Sequence, residues 1–138
     1  AMHIEVRTSL PDNPLFIDGN AEQLGKTIMS LLNNGMYAIA KKYGKKAYPA
    51  EIGLALESKD GQAVIRLYDN GVGIEQSILD KIFDPFFTTK TTGEAAGIGL
   101  YLSKEIILNH HGQIAARSEK DEVTEFTITL PLWEEKSV

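Results

Sequence analysis

Residues 69–73, Asp-Asn-Gly-Val-Gly, place two glycines two positions apart directly after a run of β-forming residues. Glycine permits backbone torsions and a close approach of a ligand that a Cβ atom would prevent. This segment is therefore a candidate binding loop. An ordinary Asp-Asn-Gly turn accounts for the same residues when the segment is considered alone.

A second glycine-rich segment contains Gly93, Gly97 and Gly99 and leads into a helical pattern that begins at Leu100. Free N–H groups at the start of a helix can bind phosphate oxygens, with help from the helix dipole. A flexible loop before a capped helix is the alternative. The spacing excludes a P-loop, because no Gly-Lys-Ser/Thr is present, and it does not fit a dinucleotide-binding G-x-G-x-x-G motif.

Two adjacent asparagines, Asn33 and Asn34, fall in the middle of an apolar helical pattern. Asparagine is a poor helix former and is usually explained by a surface position or a local hydrogen bond. Its carbonyl oxygen is also a suitable ligand for Mg²⁺, which takes few protein ligands together with phosphates and water. Lys90, in a long irregular segment, could follow phosphates as a mobile charge or could be a solvated loop lysine.

The elements that must position these residues can be predicted from periodicity. Alternation from Ile4 to Thr8 predicts a strand. Asn20 is a candidate N-cap, with Gln23 as the return half of a capping box, for a helix that runs to about Tyr43 and is stopped by Gly44.

Two alternating runs, 52–56 and 63–68, flank an Asp-Gly pair and predict a β-hairpin. A short helix over 76–82 follows, and then a loop over 84–99. A loop of this length in a small domain is commonly a functional lid. The remaining patterns predict a helix over 100–108 and two closing strands, at 114–116 and 126–130.

Composition limits the functional classes. A chain of 138 residues leaves room for one domain, and its net charge of −5 disfavours nucleic acid and anionic lipid as partners. The absence of cysteine removes disulfide scaffolds and thiolate sites, which fits a cytoplasmic domain. No apolar stretch approaches the roughly 18 residues that would span a bilayer, so direct membrane contact is not expected.

Taken in order, Asn34 and the segments 69–73, 83–87 and 97–100 resemble the N, G1, F and G2 boxes of the ATP-binding catalytic domain of sensor histidine kinases. That domain belongs to the GHKL superfamily and has the Bergerat fold. The resemblance implies an α/β fold, a two-layer sandwich with helices on one face of a mixed, mostly antiparallel sheet. It covers residues 1–133, and residues 134–138 are expected to form a tail.

The resemblance also implies roles for individual residues. Asp69 matches the aspartate that accepts a hydrogen bond from the adenine amino group and so selects ATP over GTP. Asn34 matches the asparagine that holds Mg²⁺ against the phosphates, and is therefore the candidate catalytic and metal residue. Gly71 and Gly73 match the glycines that let the backbone pass close to the base.

Further nucleotide contacts follow from the same resemblance. They comprise apolar walls of the adenine slot (Ile74, Ile82), the phosphate-side turn and helix start beneath the ATP lid (Gly97, Gly99, Leu100), a phosphate clamp (Lys90), and the supplementary candidates Tyr37, Lys41 and Phe87.

The sequence departs from the family pattern at three positions. Ser30 replaces the first asparagine of the N box, Tyr37 replaces a frequent lysine, and Ala95 replaces a glycine. Phosphate neutralisation is then expected to fall to Lys41, one turn further along the helix. A degenerate, non-catalytic nucleotide-binding module is an alternative that these departures leave open.

Ser30 also bears on the choice within the superfamily. Gyrase-, Hsp90- and MutL-like ATPases have a glutamate at this position as general base for the attacking water, a role that a serine hydroxyl cannot take. A GHKL-type ATPase and an anti-sigma-type serine kinase are therefore the alternatives, not the first expectation. In histidine kinases the nucleophile is a histidine on a separate helical hairpin. His3 lies in a predicted strand, and His110 and His111 are explained as residues at a helix C-terminus.

We therefore expect a chain that binds Mg-ATP and donates the γ-phosphoryl group to a histidine on a dimerisation domain of its parent sensor kinase. That parent would be a homodimer and would pass the phosphoryl group to the receiver domain of a response regulator. The domain itself is expected in the cytoplasm. Whether the parent is anchored in the inner membrane is left open.

Overall fold

The computed structural model describes residues 2–87 and 100–134. In chain order the elements are β1 (Ile4–Ser9), α1 (Ala21–Tyr43), β2 (Ala50–Lys59), β3 (Gln62–Asp69), α2 (Gln76–Leu79), α3 (Tyr101–Asn109), β4 (Gln113–Glu119) and β5 (Val123–Pro131). The strands form one five-stranded sheet in the order β1-β2-β3-β5-β4. Among these strands, only the β1–β2 pairing is parallel. The predicted mixed, mostly antiparallel sheet is confirmed.

Helix α1 begins where the capping pattern predicts. The Asn20 side chain accepts a hydrogen bond from the Gln23 amide at 3.0 Å, which satisfies one of the free N–H groups of the first turn. The fully buried face of α1 repeats every four residues, at Thr27, Leu31, Gly35 and Ile39. This spacing keeps one stripe of the helix against the sheet.

The end of α1 differs from the prediction in its mechanism. The helix does end at Tyr43, but Gly44 keeps a right-handed conformation with φ of −63°, and its amide still donates to the Ala40 carbonyl. A left-handed glycine therefore does not stop this helix. The chain leaves α1 through a short turn over residues 44–46.

The two faces of the sheet have different chemistry. On the inner face, buried residues of β3 and β5 such as Leu67, Phe126 and Ile128 pack with Leu31 of α1 and Ile107 of α3. Alternation within each strand turns the intervening residues to the other face, where charged side chains form ion pairs such as Arg66–Glu57 and Arg117–Glu125. The helices therefore cover one face, and the domain is a two-layer sandwich.

The remaining elements are close to the predicted ones. Asp60 and Gly61 both have positive φ, 53° and 76°, as a tight hairpin turn requires. Helix α2 is shorter than predicted, because residues 80–87 continue as a series of turns in which the amides of Lys81, Asp84 and Phe87 each bond three residues back. The closing strands β4 and β5 are longer than their apolar cores predicted.

His110 joins the start of α1 to the end of α3. Its Nε2 accepts a hydrogen bond from the Asn20 amide at 3.0 Å, which places the ring proton on Nδ1, 2.7 Å from the Ile106 carbonyl. The predicted position at a helix C-terminus is correct. Its role, however, is that of a neutral link between two helices, because a protonated ring could not accept from Asn20.

Within the described ranges, no helix combines the length and apolar character needed to cross a membrane.

Candidate functional site

A cavity of about 400 Å³ opens between α1, the loop after β3 and the β4–β5 turn. This volume lies within the range of small-molecule binding sites. The cavity is lined by Asn34, Tyr37, Ala38, Lys41, Lys45, Asp69, Val72, Gly73, Ile74, Glu75, Ile78, Lys120, Asp121, Thr124 and Phe126. The fold thus brings together the predicted residues of the first helix and those of the 69–74 loop, which are separated by 35 positions between Asn34 and Asp69.

Asp69 is a buried carboxylate in the cavity wall. Asp69 is the last residue of β3 and is only 4% exposed. Its Oδ1 accepts a hydrogen bond from the Gly71 amide at 2.9 Å. Burial raises the pKa of Asp69 from 3.8 to about 6, while the hydrogen bond from Gly71 and the positive charge of Lys42 act in the opposite direction. At neutral pH the cavity therefore presents a buried, negatively charged hydrogen-bond acceptor.

Gly71 and Gly73 are required by the protein's own backbone. A Cβ atom at Gly71 would lie 2.4 Å from the carbonyl carbon of Ala38 in α1. Gly73 has φ of +71°, and a Cβ atom there would lie 2.4 Å from the carbonyl oxygen of Glu119. Both glycines therefore have a packing reason, contact with α1 on one side and with the β4–β5 turn on the other. The close pass of the backbone along a bound base stays a prediction. Gly73 lines the cavity, whereas Gly71 lies behind its wall.

The intervening residues of this loop hold it in place. Asn70 accepts from the Glu51 amide at 2.7 Å and donates to the Pro49 carbonyl at 2.8 Å, so its side chain fixes the loop to the start of β2. The Val72 amide donates to the Ala38 carbonyl, and the Val72 carbonyl accepts from the Asp121 amide. The loop is therefore connected to three neighbouring segments.

Ile74 lines the cavity with an apolar side chain, and its role as a wall of an adenine slot stays a prediction. It is 4% exposed, and its amide donates to the Ser118 hydroxyl at 2.8 Å. That hydroxyl also bonds the Thr124 hydroxyl, and the Gln76 side chain donates to the Ser118 carbonyl. Ser118 and Thr124 were not singled out from the sequence, because nothing local to them indicates that β4 and β5 support the loop.

Asn34 lines the cavity from α1. It is half-buried, and its amide nitrogen is buried without a hydrogen-bond partner among the described residues. Within residues 2–87 and 100–134 no group of three or more histidine or acidic side chains could hold a metal ion by itself. An asparagine side chain that lines a cavity can supply one oxygen to Mg²⁺, which binds with few protein ligands when phosphates and water complete its shell.

Charged side chains surround the mouth of the cavity. Lys41 is exposed on α1, and Lys45 lies four residues further on. Lys120 forms a 2.7 Å ion pair with Glu75, and both residues line the cavity. Lys45 and Lys120 were missed from the sequence, although the four-residue step from Lys41 to Lys45 was a usable signal. Tyr37, a supplementary candidate, also lines the cavity.

Three predicted contact residues lie elsewhere. Ile82 and Leu100 are both 0% exposed in the main core, and the Leu100 amide donates to the Ile82 carbonyl at 3.2 Å. Phe87 packs against the same core. None of the three lines the cavity, because their side chains fill the space between the helices and the sheet. The predictions for Lys90, Gly97 and Gly99, like that for Ala95, fall on residues outside the described ranges.

The family described as histidine kinase-, DNA gyrase B- and HSP90-like ATPase matches residues 19–134. The chain belongs to this family. Within it, the chain is a catalytic domain of the histidine kinase type, since the curated proteins similar to it include sensor histidine kinases. It is 33% identical to the two-component sensor PprA of Pseudomonas aeruginosa over 129 residues, which cover 94% of this chain and 14% of PprA. It is 38% identical to the signal transduction histidine-protein kinase AtoS of Escherichia coli over 122 residues, 88% of this chain and 19% of AtoS.

Solved structures support the fold of this histidine kinase-type domain. The catalytic domain of histidine kinase ThkA superposes with a TM-score of 0.75 at 23% identity, covering 93% of this chain and 78% of that one. The mycobacterial sensor histidine kinase MprB gives a TM-score of 0.74 at 23% identity, covering 96% and 84%. The chain spans less than a quarter of the length of the curated relatives described above.

Proposed function

We propose that this domain binds Mg-ATP in the cavity between α1 and the 69–74 loop and donates the γ-phosphoryl group to a histidine on a separate dimerisation domain of its parent protein. The observation that carries the proposal is the buried Asp69 carboxylate in the wall of a cavity of suitable size. The adenine amino group donates a hydrogen bond that an ionised carboxylate can accept. Guanine has a carbonyl at the same position, which a carboxylate would repel.

Residues around Asp69 complete a site for a nucleotide. Ile74 and Phe126 supply apolar surface against which a base can be buried, and the Asn34 side chain supplies an oxygen for Mg²⁺. Bound Mg²⁺ would neutralise part of the phosphate charge. Lys41 and Lys45 line the cavity and add positive charge there. This local charge is needed because the net charge of the whole chain, −5, repels phosphates.

Transfer to a histidine is favoured over direct hydrolysis of ATP. Ser30 lies one helical turn before Asn34, where a hydrolase of this family would need a general base, and its hydroxyl cannot take that role. None of His3, His110 and His111 lines the cavity. The acceptor must then come from another domain, and catalysis rests on positioning and on charge stabilisation of the transferred group.

The relatives indicate the wider setting. PprA is a two-component sensor and AtoS a signal transduction histidine-protein kinase, so a response regulator receiver domain is the proposed final acceptor. The parent is proposed to be a homodimer, with this domain in the cytoplasm and any membrane anchor elsewhere in the parent.

A phosphotransfer assay tests the proposal. The domain is mixed with γ-labelled ATP and the histidine-bearing helical domain of the parent, supplied as a separate polypeptide. We expect acid-labile, base-stable label on the helical domain, lost on Asn34→Ala. Steady release of phosphate by the isolated domain, with no label transferred, would instead favour the ATPase alternative. Acid-stable label on a serine would favour the serine kinase.

A further inference from the structure

Lys42 contacts the candidate loop at Asn70, and no sequence motif singles it out. It is half-buried near the end of α1, and its Nζ donates to the Asp121 carbonyl at 2.7 Å and to the Asn70 carbonyl at 3.2 Å. The same ammonium group lies 4.5 Å from the centre of the Tyr48 ring. Three separate contacts therefore fix a side chain that would otherwise be flexible.

Through these contacts Lys42 connects three segments: α1, the 69–73 loop and the β4–β5 turn. The 69–73 loop lies between α1 and the β4–β5 turn, and Val72 bonds both of them, through its amide to Ala38 and through its carbonyl to the Asp121 amide at 2.6 Å. The Lys42 side chain extends from α1 and donates to the Asn70 carbonyl in the loop and to the Asp121 carbonyl in the turn. Loss of the Lys42 ammonium group would leave the Asn70 and Asp121 carbonyls without this donor.

Lys42 also acts electrostatically on Asp69. Its positive charge opposes the effect of burial on the pKa of that carboxyl, as does the amide of Gly71. Asp69 also interacts with Tyr48, whose own pKa is raised by burial and then by the charge of Asp69. Across the sheet Asp69 is paired with Ile52 of β2 and Thr124 of β5, which carry no charge.

We propose that Lys42 is a positioning residue for the adenine-selecting carboxylate: from α1 it clamps the 69–73 loop to the β4–β5 turn and places a positive charge at the loop that begins with Asp69. This inference rests on the proposed nucleotide site. It adds that adenine affinity depends on a lysine that does not line the cavity.

The test separates the clamp from the charge. Lys42→Met removes both, whereas Lys42→Gln removes the charge and keeps a hydrogen-bond donor. Lys46→Met, at an exposed lysine four residues later in the turn after α1, is the matched control. The first readout is the ¹³C titration of the Asp69 carboxyl in the nucleotide-free domain. The second is the affinity for Mg-ADP measured between pH 5.5 and pH 8.

We expect both Lys42 variants to move the midpoint of the Asp69 titration upward by about half a pH unit or more, and Lys46→Met to leave it unchanged. Mg-ADP affinity should then fall most at the acidic end and approach the wild-type value toward pH 8 in Lys42→Gln. Only Lys42→Met should lose hydrogen-exchange protection of the Asp121 amide. If Lys42→Met does not fold, Lys42→Gln still tests the charge.

The inference would be overturned if the midpoint of the Asp69 titration were unchanged in both variants, or in Lys42→Gln alone if only that variant folds. It would also be overturned if Mg-ADP affinity fell equally at every pH. Failure of the proposed function is distinguishable. In that case the wild-type domain would bind no nucleotide, while the Asp69 titration would still report on Lys42.

Discussion

The Asp69 carboxylate and the Gly71 amide are joined by a 2.9 Å hydrogen bond inside the wall of the cavity. One carboxylate oxygen, Oδ1, is therefore already hydrogen-bonded within the protein. The second lies on the α1 side, where a Cβ atom at Gly35 would be 3.3 Å away from it. A carboxylate held in this way is oriented before any ligand arrives, and its burial carries a cost in stability that can be measured.

Asp69→Asn should separate binding from stability. The pKa of Asp69 in the folded domain, about 6, lies above its ordinary value of 3.8. Ionisation therefore destabilises the folded form: the penalty is absent below pH 3.8 and complete above about pH 6. The difference corresponds to about 3 kcal/mol as an order of magnitude. The asparagine can still accept from Gly71, so we expect the variant to be more stable than wild type at pH 8 and to lose this advantage near pH 4.

Urea unfolding of both proteins at pH 4 and pH 8 measures this difference, and calorimetry with Mg-ADP measures binding. Affinity should fall by about tenfold or more, because the amide can present a donor to the adenine amino group. An Asp69→Asn variant with wild-type affinity would refute the assigned role.

Asn34→Ala should remove the dependence of nucleotide affinity on Mg²⁺ without unfolding the domain. Its amide nitrogen has no hydrogen-bond partner among the described residues, so truncation breaks no such bond there. Asn33→Ala, at the exposed neighbouring position, is the control. ATP titrations with and without Mg²⁺ should show enhancement by the metal in wild type and in Asn33→Ala only. Persistent enhancement in Asn34→Ala would place the metal elsewhere.

Gly71→Ala should destabilise the domain severely, by about 2 kcal/mol or more, because the new methyl group meets the α1 backbone and not a movable side chain. Gly25→Ala is the informative comparison. Gly25 is exposed inside α1, and a Cβ atom added there would have nothing within 4 Å, so this change should stabilise by about 0.5–1 kcal/mol. Denaturant midpoints of the two variants should move in opposite directions. A neutral Gly71→Ala would contradict the packing described for the loop.

Ser118→Ala should weaken the support of the cavity wall. The substitution takes the acceptor from the buried Ile74 amide and the partner from the Thr124 hydroxyl, at a cost of about 1–3 kcal/mol. Ser58→Ala, on an exposed part of β2, should change stability by less than about 0.5 kcal/mol. Urea unfolding provides both values, and equal stability of the two variants would mean that the hydroxyl network contributes nothing.

The sequence predicted those features that are encoded locally. The capping of α1 by Asn20, the hairpin at Asp60 and the positions of Asn34 and Asp69 depend on residues close together in the chain. Features that depend on the packing of distant segments could not be predicted in this way. Ile82 and Leu100 have the apolar character of a slot wall, but only the folded chain shows that they fill the core.

The roles of neighbouring lysines and of Gly71 also depend on distant segments, so the sequence alone could not predict them. Lys41 and Lys42 are adjacent and chemically identical, yet one lines the cavity and the other clamps Asn70 to Asp121. Gly71 was predicted to let a ligand approach the backbone, and the structure shows that the folded chain itself leaves no room for a side chain there. The obstacle is the backbone of Ala38, which lies 33 residues earlier in the sequence.

Calorimetric titration of the wild-type domain with Mg-ATP and Mg-GTP at pH 7.5 tests the central claim most directly. We expect saturable binding of Mg-ATP and binding of Mg-GTP at least about tenfold weaker, because Asp69 is then ionised and rejects the guanine carbonyl. No heat with Mg-ATP at millimolar concentration, or equal affinities for the two nucleotides, would contradict it.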